Sequence, residues 1–134
     1  GLGVDGSASN DNSNLMEGVR HALMMNRLIY GASAVTHLDA LRWATEGSAR
    51  CLGREKLGKI APGYQADLAM FTLDELRFSG AGDPLAALVL CGAHRADRVM
   101  IRGRWTVEDG MPVGIDVARL RHDHGAVAKL FAES

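Results

Sequence analysis

Apolar and polar positions along the chain follow two regimes: helical spacing before Gly53 and short strand-like runs after it. Gly1–Val4 is apolar and predicts a short buried strand. It runs out into Asp5–Ser13, whose glycine, serine, asparagine and aspartate content reads as a loop. A helix is expected from about Asn14. Asn14 and Glu17 have capping-box spacing, and Leu15, Val19, Ala22, Met25 and Ile29 recur every three to four residues along one face. Gly31 can stop this helix. Thr36, with Asp39 three residues on, opens a second one, with Leu38, Leu41 and Thr45 along one side. Ala44, Ala49 and Leu52 continue the packing through a short further turn. Gly47 is expected to separate the two pieces and Gly53 to end the helical region.

Beyond Gly53 the pattern shortens. Leu57–Ile60 predicts a short strand, Ala61-Pro62-Gly63 a turn, and Ala66–Thr72 an apolar strand. Asp83-Pro84 begins a short helix, with proline where no helical N–H is lost. Arg98–Arg102 and Trp105–Glu108 read as strands joined through Gly103-Arg104, followed by a turn at Asp109-Gly110. A last helix is expected over Asp116–Ala132, with Val117, Leu120, His124, Val127 and Leu130 or Phe131 inward. The expected organisation is a strand and the helices that follow it over 1–52, a small β-domain over 53–115 and a closing helix over 116–134. An apolar strand at the very first residues predicts a chain that begins inside a larger domain.

Composition narrows the function classes. The chain has 134 residues, 47% of them apolar and 23% charged, as in ordinary globular proteins. A net charge of -1 gives no electrostatic case for nucleic acid or an anionic membrane. The longest apolar run, around Leu85–Cys91, is too short to span a bilayer. No N-terminal signal pattern is present, so a cytoplasmic setting is the default. Cys51 and Cys91 are far apart and are expected to be reduced and buried.

Asp5 is the leading chemical candidate. It directly follows the apolar segment, and in parallel α/β barrels functional groups sit where strands end and loops begin. A carboxylate there can bind a metal or take a proton from the attacking water. By spacing alone, such an aspartate is more often a turn former or cap. Ser7, Ser9, Asn10, Asp11, Asn12 and Asn14 form the polar loop after it. They read first as turn and cap formers, and as a functional set only if one or two of them orient Asp5 or line a pocket. The histidines at 21, 37, 94, 122 and 124 show no ligand spacing; His122 and His124 lie two apart on a helix and point in different directions. Arg95, Arg98, Arg102 and Arg104 read as a solvated strand face.

Two stretches together carry a family likeness. Gly3-Val4-Asp5-Gly6-Ser7-Ala8-Ser9-Asn10-Asp11 resembles the eighth-strand segment of the cytosine, guanine and triazine deaminase branch of the amidohydrolase superfamily. Leu52-Gly53-Arg54 through Leu57–Ala69 looks like the passage where such chains leave the barrel for a small β-domain. Arg77-Phe78-Ser79-Gly80 and Asp83–Gly92 most resemble 8-oxoguanine deaminases and their triazine-hydrolase-like relatives. The resemblance covers nearly the whole chain.

It implies an α/β fold: the end of a (β/α)8 metal-dependent hydrolase barrel, a small β-sandwich-like domain, and a C-terminal helix packing back on the barrel. It implies one divalent metal, usually zinc, held by an HxH pair, a further histidine and an aspartate. Only the aspartate maps here, onto Asp5, as both catalytic residue and metal ligand. The implied activity is hydrolytic deamination of a small heterocyclic substrate, with 8-oxoguanine the best candidate, by a homo-oligomer. The alternatives are a triazine or other ring hydrolase, and a non-catalytic scaffold that lost its metal site. Asp67 is expected to bond backbone or a turn and to touch no substrate.

Overall fold

In the computed structural model, which describes residues 1–6 and 9–132, each long helix begins where the sequence supplies a cap. Helix α1, Leu15–Tyr30, starts at Asn14, whose side chain accepts from the Met16 and Glu17 N–H groups at 3.0 and 3.4 Å. The reciprocal half of the expected box is absent, because Glu17 instead accepts from the Asn12 side chain. Gly31, at φ 104°, ends the helix. Helix α2, His37–Arg42, has a full capping box: the Asp39 N–H donates to Thr36 Oγ1 at 3.2 Å and the Thr36 N–H to Asp39 Oδ2 at 3.0 Å. It continues without a break through a π turn, Trp43–Gly47, into α3, Ser48–Cys51. Gly47 therefore joins the two pieces. It is buried in the turn, where an added Cβ would lie 3.3 Å from the Arg42 carbonyl oxygen and 3.7 Å from Gly1 Cα. Gly53, at φ 65°, then turns the chain away.

The helical core is built from Val19 and Leu23 of α1, Ala40 of α2 and Val89 of α4 (Pro84–Leu90), with Leu2, Met16, Leu41 and Trp43 against it. The inward face of α1 is thus Met16–Val19–Leu23 and differs from the expected stripe: Leu15, Met25 and Ile29 are exposed. This helix is apolar over most of its circumference, so periodicity could not select one side. Helix α4 is capped by Asp83, whose Oδ1 accepts from Leu85 and Ala86 at 2.9 and 3.0 Å. A second cluster joins Ala87 to Phe78 and Ala93.

Among the described residues there is one sheet, of order β1-β2-β3-β4 and antiparallel throughout: β1 Leu68–Met70, β2 Arg98–Ile101, β3 Arg104–Glu108 and β4 Met111–Pro112. A sandwich needs two packed sheets, so the sandwich-like expectation reduces here to a single sheet. The turns are legible in φ. Arg102 and Gly103 (50° and 76°) and Asp109 and Gly110 (50° and 70°) have both central residues left-handed, as two-residue hairpins require. The first of these turns falls one residue before the expected link. Asp67 bonds backbone, as expected, accepting the Arg102 N–H at 2.7 Å and tying the hairpin to the start of β1.

Four other expectations are corrected. Gly1–Val4 pairs with no strand; its backbone is held instead by a side chain, described below. Leu57–Ile60 is not a strand, because Gly58 (φ 92°) is pressed onto the π turn, away from any ladder partner. Cys51 and Cys91 are free, as expected, but exposed, since each sits at a helix end. Helix α5, Val117–Ala132, has no buried residue, and its expected inner positions Leu120, Val127 and Leu130 are exposed. No helix among the described residues is long and apolar enough to cross a membrane.

Two stability predictions arise here. An added Cβ at Gly58 would lie 2.7 Å from Glu46 Cα, a backbone atom, and the positive φ strains any L side chain. Gly58→Ala is expected to destabilise by about 2–4 kcal/mol, read by denaturant midpoint; an unchanged midpoint would contradict the packing. The second concerns acid. The Thr36 hydroxyl holds Asp39 below its usual value of 3.8, the Ala86 N–H does so for Asp83, and the Thr72 hydroxyl does so for Asp97. A depressed folded-state pKa contributes stability above the unfolded value, and that stability is lost as pH falls through the folded one. Melting temperature is therefore expected to hold above the usual carboxylate range and to fall below it. Thr36→Val and Thr72→Val should each flatten that acid limb.

Candidate functional site

The segment ahead of Asp5 is fixed by α3. Ser48 Oγ accepts the Leu2 N–H at 3.0 Å and donates to the Leu2 carbonyl at 3.0 Å, with the Trp43 carbonyl near at 3.2 Å. One side chain thus pairs with both backbone groups of Leu2, the role a neighbouring strand would have. The approach is close enough that a Cβ on Gly1 would lie 2.9 Å from Ser48 Cα.

Asp5 follows in a left-handed conformation, φ 63°. For a non-glycine residue this conformation is costly, and it persists where surrounding bonds over-determine it. Those bonds are present. The Asn10 side-chain amide donates to the Val4 carbonyl at 2.8 Å, on the near side of Asp5. The Gly6 N–H donates to Asp5 Oδ1 at 2.8 Å, on the far side. The Gly6 carbonyl accepts from Ser9 and Asn10 N–H, both at 2.9 Å. Asn12 N–H donates to Asn10 Oδ1 at 3.2 Å, and the Asn12 side chain reaches Glu17 in the first turn of α1. The Asp5 carboxylate is exposed, and its one bond among the described residues is from Gly6.

Of the expected polar loop, Asn10, Asn12 and Asn14 are therefore brought into one bonded chain from Val4 to α1, and Ser9 contributes only its N–H. Asp11 takes no part in it, and Ser7 lies outside the described residues. No group of three or more histidine, cysteine, aspartate or glutamate side chains that could hold a metal occurs among the described residues. Zinc takes about four ligands. Asp5 fits a divalent cation as one oxygen donor, and no cluster that would complete its ligand set occurs among the described residues.

Two contacts were not anticipated. His37 Nε2 lies 3.2 Å from Asp83 Oδ2, a close approach without hydrogen-bond alignment, linking α2 to the cap of α4. Arg77 contacts Glu75 at 2.7 Å, His94 Nδ1 at 2.9 Å and the Gly92 carbonyl at 3.3 Å. The subgroup-like stretch thereby folds back on itself, in a cleft it shares with Asn14, Glu17 and Arg20 of the α1 start. An arginine beside an aromatic was visible in the sequence and Glu75 lies two residues from it, but Gly92 and His94 lie 15 and 17 residues on, and Asp83 lies outside any local pattern around His37. Arg95, Arg98, Arg102 and Arg104 are exposed.

Asp5 thus ends an apolar segment and is held in a left-handed conformation between that segment and a capped helix. The model of the Amidohydrolase family matches residues 1–106, and the chain belongs to that family. It is 61% identical over 128 residues to an 8-oxoguanine deaminase of Pseudomonas aeruginosa, covering 96% of this chain and 28% of the relative. It is 38% identical to a hydroxydechloroatrazine ethylaminohydrolase of a Pseudomonas species, over 90% of this chain and 26% of that one. Among solved structures, an atrazine chlorohydrolase of Arthrobacter aurescens complexed with zinc superposes with a TM-score of 0.82 at 36% identity, over 90% of this chain and 28% of its own. An adenosine deaminase of Xanthomonas campestris with bound zinc superposes with a TM-score of 0.87 at 27% identity, over 97% and 30%. The chain thus spans less than a third of the length of these relatives.

Proposed function

We propose that the protein carrying this chain is a metal-dependent hydrolytic deaminase of an amino-substituted nitrogen heterocycle, with 8-oxoguanine the leading substrate and Asp5 its proton-transfer residue and one metal ligand. In this reading, residues 1–52 close a (β/α)8 barrel and the apolar side of α5 packs back on it. The observation that carries the reading is the clamped Asp5, in a chain 61% identical to an 8-oxoguanine deaminase over 96% of its length.

The reaction replaces a ring C–NH2 by C=O, consuming water and releasing ammonia. A bound divalent metal supplies Lewis acidity that brings the deprotonation of water toward neutral pH. The rest falls to the chain. Ammonia leaves poorly from carbon unless its nitrogen is protonated, so a group must take a proton from the attacking water and hand it to that nitrogen. Asp5 is suited to this: one oxygen is held by the Gly6 N–H, which fixes the carboxylate plane, and the other is open to exchange the proton.

A triazine or other ring hydrolase is the second reading, supported by the relatives at 36–38% identity. A scaffold without a metal site is the third, and an HxH pair upstream in the full reading frame would argue against it. The deciding experiment is ammonia release by the full-length, metal-replete protein from oxidised purines, pterins, cytosines and aminotriazines. Preference for 8-oxoguanine supports the first reading, triazine-only turnover moves the assignment to the second, and no turnover of any ring by a zinc-loaded enzyme overturns both.

A further inference from the structure

We infer that Asn10 is a positioning residue for Asp5, acting through the Val4–Asp5 peptide. The inference rests on the reading of Asp5 as proton-transfer residue and metal ligand. Three observations carry it. Among Ser9–Asn12, Asn10 alone is not exposed. Its amide orientation is fixed at both ends, with nitrogen on the Val4 carbonyl at 2.8 Å and oxygen under the Asn12 N–H at 3.2 Å. The carbonyl it holds belongs to the peptide whose plane sets the φ of Asp5, and that φ is 63°, in the left-handed region that aspartate tolerates better than most non-glycine residues but that remains a minority conformation. A cap or simple turn former would bond its own neighbourhood; this side chain reaches back six residues, past Asp5, to the end of the Gly1–Val4 segment. Through Asn12 and Glu17 the same chain of bonds is anchored to α1, whose Val19 is fully buried. The carboxylate is thereby referenced to the helical core by way of Asn10.

Asn10→Asp is the informative variant. It keeps the shape, removes the donor and sets an anionic oxygen against the Val4 carbonyl. Asn10→Ser, smaller and still a donor, serves as the second variant should the first fold poorly. In the full-length zinc-loaded protein, either substitution is expected to lower kcat about 10–100-fold, with KM little changed, and to speed zinc release to a chelator by a similar factor. The second readout does not depend on turnover. Placed in an Asp5→Asn background, Asn10→Asp should add nothing to the rate of zinc release, because a residue acting through Asp5 has no separate effect. Unchanged kcat and zinc release in folded Asn10 variants, or an equal acceleration with and without Asp5, would overturn the inference while Asp5→Asn remained inactive. Full activity in metal-replete Asp5→Asn would instead sink the reading of Asp5 itself, and this inference with it.

Discussion

Asp5→Asn in the full-length protein is expected to lower turnover by roughly 10²–10⁴-fold, the usual worth of a positioned general acid–base group. Asparagine keeps the shape and an oxygen for the Gly6 N–H, so the loop should stay folded. It cannot take a proton from water and return it to the leaving nitrogen, and it removes a negative charge from beside the metal. Metal content has to be measured with turnover, because loss of the ligand and loss of the base would both lower the rate. At equal zinc occupancy the remaining deficit belongs to proton transfer. Asp67→Asn is the control. Asp67 bonds the Arg102 N–H of the hairpin at 2.7 Å, so its amide should shift stability slightly and leave turnover per folded molecule intact. Full turnover in a zinc-replete Asp5→Asn enzyme would remove Asp5 from the mechanism.

How much of this could be read in the sequence follows from the range of the forces involved. Caps and tight turns are local, and they were legible: Asn14, Thr36 with Asp39, Asp83 before Pro84, Gly31 and Asp109-Gly110 each act within about four residues. The hairpin slipped by one residue because Arg102, rather than Arg104, takes the left-handed place beside Gly103. The other failures are tertiary. Gly47 looks like a breaker, yet it is the residue that lets a continuous helix lie against Gly1. Leu57–Ile60 has strand composition, but nothing among the described residues pairs with it. Of the site, Asp5 and its polar loop were visible as a composition change at the end of an apolar run. The bond from Asn10 back to Val4, and the grip of Ser48 on Leu2 across 46 residues, are not encoded in any local pattern. Helix α1 shows the same limit from the other side. Its apolar residues outnumber those one face can hold, so the sequence carried a surplus that only a neighbour could resolve.

That surplus sets the largest effect expected of these 134 residues expressed by themselves. Met25, Leu28, Ile29 and Tyr30 of α1 are 54%, 79%, 63% and 69% exposed, and Leu120, Val127 and Leu130 of α5 are exposed as well. Contiguous apolar surface of this kind marks a site that something else covers, or an association liability. Gly1–Val4 adds backbone groups that are satisfied, among the described residues, only at Leu2, through Ser48, and at the Val4 carbonyl, through Asn10. The isolated chain is therefore expected to associate or to be poorly soluble, with light scattering rising steeply with concentration. It should also fail to bind zinc at micromolar or tighter affinity, since Asp5 supplies one donor of the roughly four that zinc takes. If the chain closes a (β/α)8 barrel as proposed, supplying the rest of that barrel, in one chain or as a separate piece, should cover the α1 face and give both solubility and stoichiometric metal. A monodisperse monomer of the 134 residues that takes up one zinc tightly in a titration would contradict both halves of the prediction. It would mean that the chain holds a complete metal site of its own.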